Sequence, residues 1–265
     1  MKKSTILGLL ILINTLVSAQ DCPYKVKPWV DIPITAVLGG TSLLGLSNIN
    51  KKPGLDSSYI ASLKPEDVNR FDRISINGSK RSSSINMCSD IAMYSAILAG
   101  PTFLLSYNKT RKHFWTVGLI YLQTMMVMSN FYLWTNGTID RNRPYLYNPN
   151  IPIEDKMGSH SRNSFIAGHP AAAAASTFFI AKVFHDYNPD SKWKKFVWAG
   201  AVIPPAIVTY CRYKNGEHFP TDILVGVPLG AAIGIIVPHL HLQNRKNQNL
   251  SFYPAPGGLG LTGRF

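Results

Sequence analysis

Charge is what this sequence is short of. Only 15% of its 265 residues are Asp, Glu, Lys or Arg, where a soluble globular chain averages about a quarter. Several helices therefore face lipid or one another. Acidic residues are the scarcer sign, 14 against 27 Lys and Arg, which leaves a net charge of +13. That excess fits an anionic membrane surface or an anionic substrate. It would also fit nucleic acid, but zinc-finger spacing, an RNA-binding signature and a basic helix with interleaved aromatics are all missing, so no nucleic-acid partner is expected. Cysteine is nearly absent: Cys22, Cys88 and Cys211 are far apart and odd in number. This excludes a disulfide framework and a cysteine metal site.

What is present is apolar sequence in long runs, with 46% hydrophobic residues in all. The first stretch reads as an address. Lys2 and Lys3 precede an apolar core from Ile6 to Val17, and Val17-Ser18-Ala19 offers a small-residue cleavage site, so residues 1–19 are expected to be an export signal or an uncleaved anchor. Residues 20–89 form an N-terminal extension. Its run from Ile34 to Ile49 is Gly-rich and sixteen residues long, short of the roughly 20 that a spanning helix needs. Residues 50–89 are polar loops and a short capped helix at KPEDVNRF, with no visible chemistry. Apolar runs follow at Asp90–Tyr107, Phe114–Trp134, Phe165–Phe184, Phe196–Tyr210 and Ile223–Leu240. The residues from 243 to 265 read as a flexible polar tail; its ending GLGLTGRF resembles the last strand of an outer-membrane barrel, but one strand cannot close a barrel.

Loop charge predicts a topology. The linkers 108–113 (Lys109, Arg111, Lys112) and 185–195 (Lys192, Lys194, Lys195) are short and basic, which makes them cytoplasmic. Residues 135–164 and 211–222 then share the opposite, periplasmic side of a bacterial inner membrane. By parity the extension starts and finishes outside, so residues 34–49 form only a partial helix that does not cross. The expected fold is all-α: a multi-helix bundle of five to six transmembrane helices with its active site at the periplasmic mouth. Trp115, Trp134, Trp193 and Trp198 flank the runs, as an interfacial belt does.

Candidate chemistry lies on that side. Cys211 to Asp222 reads CRYKNGEHFPTD and spaces Arg212, His218 and Asp222 as Arg-x5-His-x3-Asp. A guanidinium grips two phosphate oxygens as a planar fork. An imidazole can attack phosphorus, and a carboxylate four residues on can orient it. Pro220 suits the first turn of a helix. Upstream, Arg143-Pro144 lies in the 135–164 loop, and Gly168-His169-Pro170 opens a helix running into five alanines. Backbone N–H groups and the positive dipole end make such a helix start an anion site, and its histidine can protonate a leaving oxygen. His113, His160, His185, His239 and His241 show no partner pattern, and Met125, Met126 and Met128 read as core or lipid-facing.

Arg143-Pro144, Gly168-His169 and Arg212-x5-His218-x3-Asp222, in that order on helix ends, resemble the type 2 phosphatidic acid phosphatase superfamily, which also includes vanadium haloperoxidases and bacterial acid phosphatases. The resemblance covers residues 90–242 and implies a helical domain with no metal or other cofactor and a phosphohistidine intermediate. It gives His218 the role of nucleophile, oriented by Asp222. His169 is the general acid and then the base for water. Arg143, Arg212 and the Gly168 N–H bind phosphate, and the Asn136 amide is a further candidate donor to it. A bell-shaped pH profile follows, since His169 must carry a proton when His218 does not. Three departures stand out. The family's first-motif Lys is Asn136 here, its Pro-Ser-Gly-His is Ile166-Ala167-Gly168-His169, and its Ser before Arg is Cys211. Losing one such charged donor costs about 2–4 kcal/mol of transition-state stabilisation. Arg141, Lys156 or Lys214 are the candidates to replace it. The substrate implied is a lipid phosphate or pyrophosphate at headgroup level. The alternatives are an exported acid phosphatase on soluble monoesters, a vanadate-loaded haloperoxidase, or a degenerate member that binds lipid phosphate without turnover.

Overall fold

A computed structural model describes residues 22–243, 250–255 and 258–263; the expected export signal lies outside them. The body is all-α. Its long helices are α1 (Pro28–Asn50), α4 (Ser83–Ser106), α6 (Phe114–Thr138), α7 (Gly168–Tyr187), α8 (Lys194–Ala201), α9 (Ile203–Lys214) and α10 (Pro220–Leu240). Short helices α2 (Ser57–Ser62), α3 (Arg70–Arg73) and α5 (Asn108–Arg111) fill the connections. The single expected run Phe196–Tyr210 is broken into α8 and α9, because Pro204 and Pro205 carry no N–H for a continuous helix. At the C-terminus, β1 (Leu250–Ala255) and β2 (Gly258–Gly263) pair as an antiparallel hairpin, where the sequence reading had a structureless tail.

The expectation for the extension is corrected. The partial helix at 34–49 is in fact the 23-residue α1. Pro28 pre-sets its first turn, and Asp31 accepts the Lys27 backbone N–H at 2.5 Å. At 1.5 Å per residue it is about 34 Å long, enough to cross a hydrocarbon core. It runs parallel to α6: Gln123 donates to the Asp31 carbonyl, Asn130 to the Leu38 carbonyl, and Asn48 to the Gly137 carbonyl. Because α6 ends at the site loops, α1 also ends there and begins at the far end. The extension therefore starts at the far end of the bundle and finishes at the site end.

The remaining helices alternate around that frame. Helices α4, α7 and α10 begin at the site end, whereas α1, α6 and the α8–α9 pair finish there. The closest pair is α7 with α10, laid side by side in parallel. A Cβ at Gly226, Gly230 or Gly234 would run into the carbonyls of Ala167, Ala171 and Ala175 respectively. Small residues four apart on both helices let the backbones touch, and this contact sets the starts of α7 and α10 next to each other. Helices α1, α4 and α10 are long and apolar enough to cross a membrane. Their outward faces are apolar, as at Trp29, Val37 and Leu43 on α1 and Tyr94 and Leu98 on α4.

Candidate active site

The segment after α9 turns sharply inward. Gly216 adopts φ +70°, and a Cβ there would collide with the Ser79 side chain, so glycine is needed twice over. The turn buries Glu217 and His218 almost completely. His218 Nδ1 lies 2.7 Å from the Ser164 carbonyl. A carbonyl only accepts, so Nδ1 carries the proton and Nε2 is the free, nucleophilic nitrogen. That Nε2 is buried with no protein partner. Burial, then the charges of Arg143 and Arg212, hold His218 well below the ordinary histidine range, which keeps the ring neutral at physiological pH.

Asp222 is placed differently from the simplest reading of the motif. It does not touch the His218 ring. As the third residue of α10 its carboxylate accepts the Phe219 backbone N–H at 2.8 Å, capping its own helix. It also accepts the Ser164 hydroxyl at 2.6 Å and pairs with Arg141. Asp222 thus fixes Ser164, and the Ser164 carbonyl holds His218. The link is one residue long instead of direct.

Arg143 and Arg212 converge on one carboxylate. Both guanidiniums pair with Glu217 Oε2, Arg212 at 3.3 Å. Their Nε atoms, like His218 Nε2, are buried and unpartnered. Gly168 and His169 open α7 beside them. A Cβ at Gly168 would overlap the Tyr132 ring, so this glycine also answers to packing. His169 Nε2 is 3.2 Å from Asp90 Oδ1. Its ring borders a cavity of about 400 Å³ that runs between α4, α6 and α7 past Met93, Ile97, Met125 and Met128.

Asn136 stays off this cluster. It is fully buried, and its amide donates to the carbonyls of Tyr132 and Ile166 at 3.1 and 3.4 Å. None of the three candidate replacement cations meets the arginine pair either. Arg141 bridges Asp72 and Asp222, Lys156 donates to the Asn148 carbonyl, and Lys214 lies over the Tyr210 ring. Three residues at the site were not anticipated: Glu217, Asp90 and, from the extension, Arg81, whose Nη1 is 2.8 Å from Glu217 Oε1. Glu217 had a signal. It is the only acidic residue between Asp190 and Asp222, and buried arginines need a counter-charge. Among the described residues no group of three or more His, Cys, Asp or Glu could hold a metal ion.

The PAP2 superfamily profile matches residues 114–246, 133 of the 265 residues. The chain belongs to the PAP2 superfamily. As a member it is a phosphoric ester hydrolase, and its apolar helices make it a membrane protein. The chain is also similar, at 20% identity and a TM-score of 0.38, to a solved transmembrane PAP2-type phosphatidylglycerolphosphate phosphatase from Bacillus subtilis; the match covers 89% of this chain and 94% of that one. No curated protein matches it.

Proposed function

We propose that this PAP2 phosphatase hydrolyses a phosphate monoester or pyrophosphate of a membrane lipid, without a metal, through a phosphohistidine on His218. The observation that carries the reading is the buried, proton-free Nε2 of His218 beside two arginines with unused Nε–H groups. Nε2 attacks phosphorus in line. Arg143, Arg212 and the first N–H groups of α7 bind the non-bridging oxygens as charge develops on them. Burial, then the charges of Arg212 and Arg143, hold His169 well below the ordinary histidine range, so the bound phosphate's negative charge, with Asp90 3.2 Å away, raises it to the protonated form that donates to the leaving alcohol oxygen. The same imidazole then takes a proton from water, which displaces phosphate from His218. Atoms balance: the P–O ester bond breaks as P–N forms, and P–N breaks as the new P–O forms.

A lipid substrate is supported by the apolar cavity at His169. It starts at Gly168 and His169 and reaches the outward-facing Tyr94 of α4, and its size is within the range of small-molecule pockets. The broad exposed apolar faces of α1 and α4 count against a soluble bundle acting on soluble esters. Purified protein in detergent, given a panel of lipid phosphates with EDTA present, should release phosphate from at least one of them. His218→Ala should release none. Release from no lipid by the native chain would favour binding without turnover.

For orientation, we propose that the site faces the periplasm. The basic loops 108–113 and 188–195 lie at the opposite end of the bundle, together with Lys25 and Lys27. On this orientation the chain enters α1 from the cytoplasm, which is at odds with an exported mature terminus at Gln20. An impermeant thiol reagent on intact cells decides the matter. In a Cys88→Ser background, which removes the exposed native thiol, Asn150→Cys at the site end should react and Asp190→Cys at the far end should not; the reverse pattern would restore the export signal and turn the site inward.

A further inference from the structure

We propose that Arg81, supplied by the N-terminal extension, is the third cation of the phosphate site in place of the lysine that Asn136 replaces, and that Glu217 is the positioning residue that gathers all three arginines. The proposal rests on the phosphatase reading of the same site.

Several independent observations point the same way. One carboxylate, 2% exposed, receives three guanidiniums: Arg81 on Oε1 at 2.8 Å, with Arg143 and Arg212 on Oε2. A buried acid with a single partner would be a local ion pair. An acid shared among three arginines fixes where all of them sit relative to one another. Its contacts are to Nη atoms, which leaves the Nε–H edges of Arg143 and Arg212 buried and without partners, in the same cluster as the free His218 Nε2. Glu217 therefore backs the clamp and leaves donors for the substrate.

Charge counting gives Arg81 its role. With Asp90 set against the protonated His169, two arginines and one glutamate sum to +1, which is short of a phosphate monoester at −1.5 to −2 near neutrality. Adding Arg81 brings the cluster to +2. Arg81 is also held deliberately. Its guanidinium lies 4.0 Å above the Tyr145 ring, and its Nη2 reaches the Asp155 carbonyl at 3.3 Å. On either side of it the chain is tied to the end of α9: the Lys80 N–H donates to the Lys214 carbonyl at 3.1 Å, and the Ser82 N–H to Asn215 Oδ1 at 2.6 Å. Arg81 itself sits at φ +49°, a left-handed conformation that a non-glycine residue adopts at an energetic cost. The extension thus places one arginine at one spot above the clamp.

The test uses the full chain in detergent, with inorganic phosphate as the probe, titrated calorimetrically and as a product inhibitor. Arg81→Gln should weaken phosphate binding about tenfold to a hundredfold and lower kcat/KM by a similar factor. Arg81→Lys, which restores the charge without the fork, should recover most of the phosphate affinity. Glu217→Gln leaves three positive charges in a looser arrangement, so it should lower kcat while the phosphate affinity holds or rises. Unchanged thermal unfolding of Arg81→Gln, whose side chain is partly exposed, separates this from a folding defect. Native-like phosphate affinity in Arg81→Gln, or a lysine variant no better than the glutamine, would overturn the proposal. Because binding is read directly, the outcome stands even if no lipid is hydrolysed, whereas activity lost in His218→Ala with Arg81→Gln unaffected would leave the phosphatase reading intact and remove only this one.

Discussion

Replacing Ser164 with Ala separates two ways in which Asp222 can act on the nucleophile. A carboxylate bound directly to the imidazole would make the Ser164 hydroxyl dispensable. In the structure that hydroxyl is the donor to Asp222 at 2.6 Å, and the carbonyl of the same residue accepts from His218 at 2.7 Å. Ser164 is 0% exposed, so water cannot stand in for the lost hydroxyl. A hydrogen bond to a charged group contributes about 1.5–3 kcal/mol. If all of it served to hold the carbonyl in place, its loss would lower kcat by roughly tenfold to a hundredfold, at about 1.4 kcal/mol per factor of ten. Asp222→Asn should cost more, because it also weakens the pairing with Arg141 and the cap on Phe219. The assay is initial-rate phosphate release in detergent, with circular dichroism to check folding. A folded Ser164→Ala enzyme with native kcat, alongside a dead Asp222→Asn enzyme, would refute the relay and restore direct contact.

Four further outcomes follow from the same geometry. Activity should persist to acid pH: His218 is held well below its ordinary value near 6.5, so its protonation removes the nucleophile only well below that pH, and an acid limb of kcat/KM set by this ring at 6.5 would contradict the burial argument. His169→Ala should still give a single-turnover burst of p-nitrophenol from p-nitrophenyl phosphate, whose leaving group needs no proton, but no burst of alcohol from an alkyl phosphate; burst loss on both would remove His169 as the acid. Ala172→Phe, which narrows the cavity beside His169, should raise KM for long-chain lipid phosphates several-fold and leave p-nitrophenyl phosphate unchanged. Gly230→Val would press its side chain into the Ala171 carbonyl; forcing α7 and α10 apart should cost about 1–3 kcal/mol, seen as a lower Tm and reduced activity.

Much of the bundle was legible because membrane helices announce themselves by apolar length. The boundaries were less so. The helix α4 begins at Ser83 and not Asp90, because Ser83 to Ser89 is mostly polar and breaks the apolar run, with Asn86 bonded to Arg212 and Asn215 at the site. The run at 34–49 looked too short because Pro28 to Pro33 contains two prolines and an aspartate, yet those residues form the pre-set and capped first turns of α1. The three motifs gave Arg143, Gly168-His169, Arg212 and His218, all of which come together. They did not reveal how Asp222 is used, because a spacing of four residues fits a direct bond and a relay equally well. Asp90 and Arg81 were hidden for a different reason. Both meet the site only through contacts far apart in sequence, Asp90 with His169 and Arg81 with Glu217, Tyr145 and Asp155, and one charged residue within an apolar helix or a serine-rich loop leaves no local pattern. The α7–α10 contact was readable in principle: Gly226, Gly230 and Gly234 recur every four residues, which is the signature of close helix packing.

The central claim is that His218 Nε2 takes up the phosphoryl group. It is tested most directly by trapping the intermediate. The His169→Ala variant, mixed with radiolabelled p-nitrophenyl phosphate, can still expel the good leaving group but has lost the base that activates water, so labelled enzyme should accumulate. The label should survive alkali, be released by mild acid as a phosphohistidine is, map to the peptide containing His218, and vanish in the His169→Ala, His218→Ala double variant. Label that survives acid, maps elsewhere or persists without His218 would contradict the account.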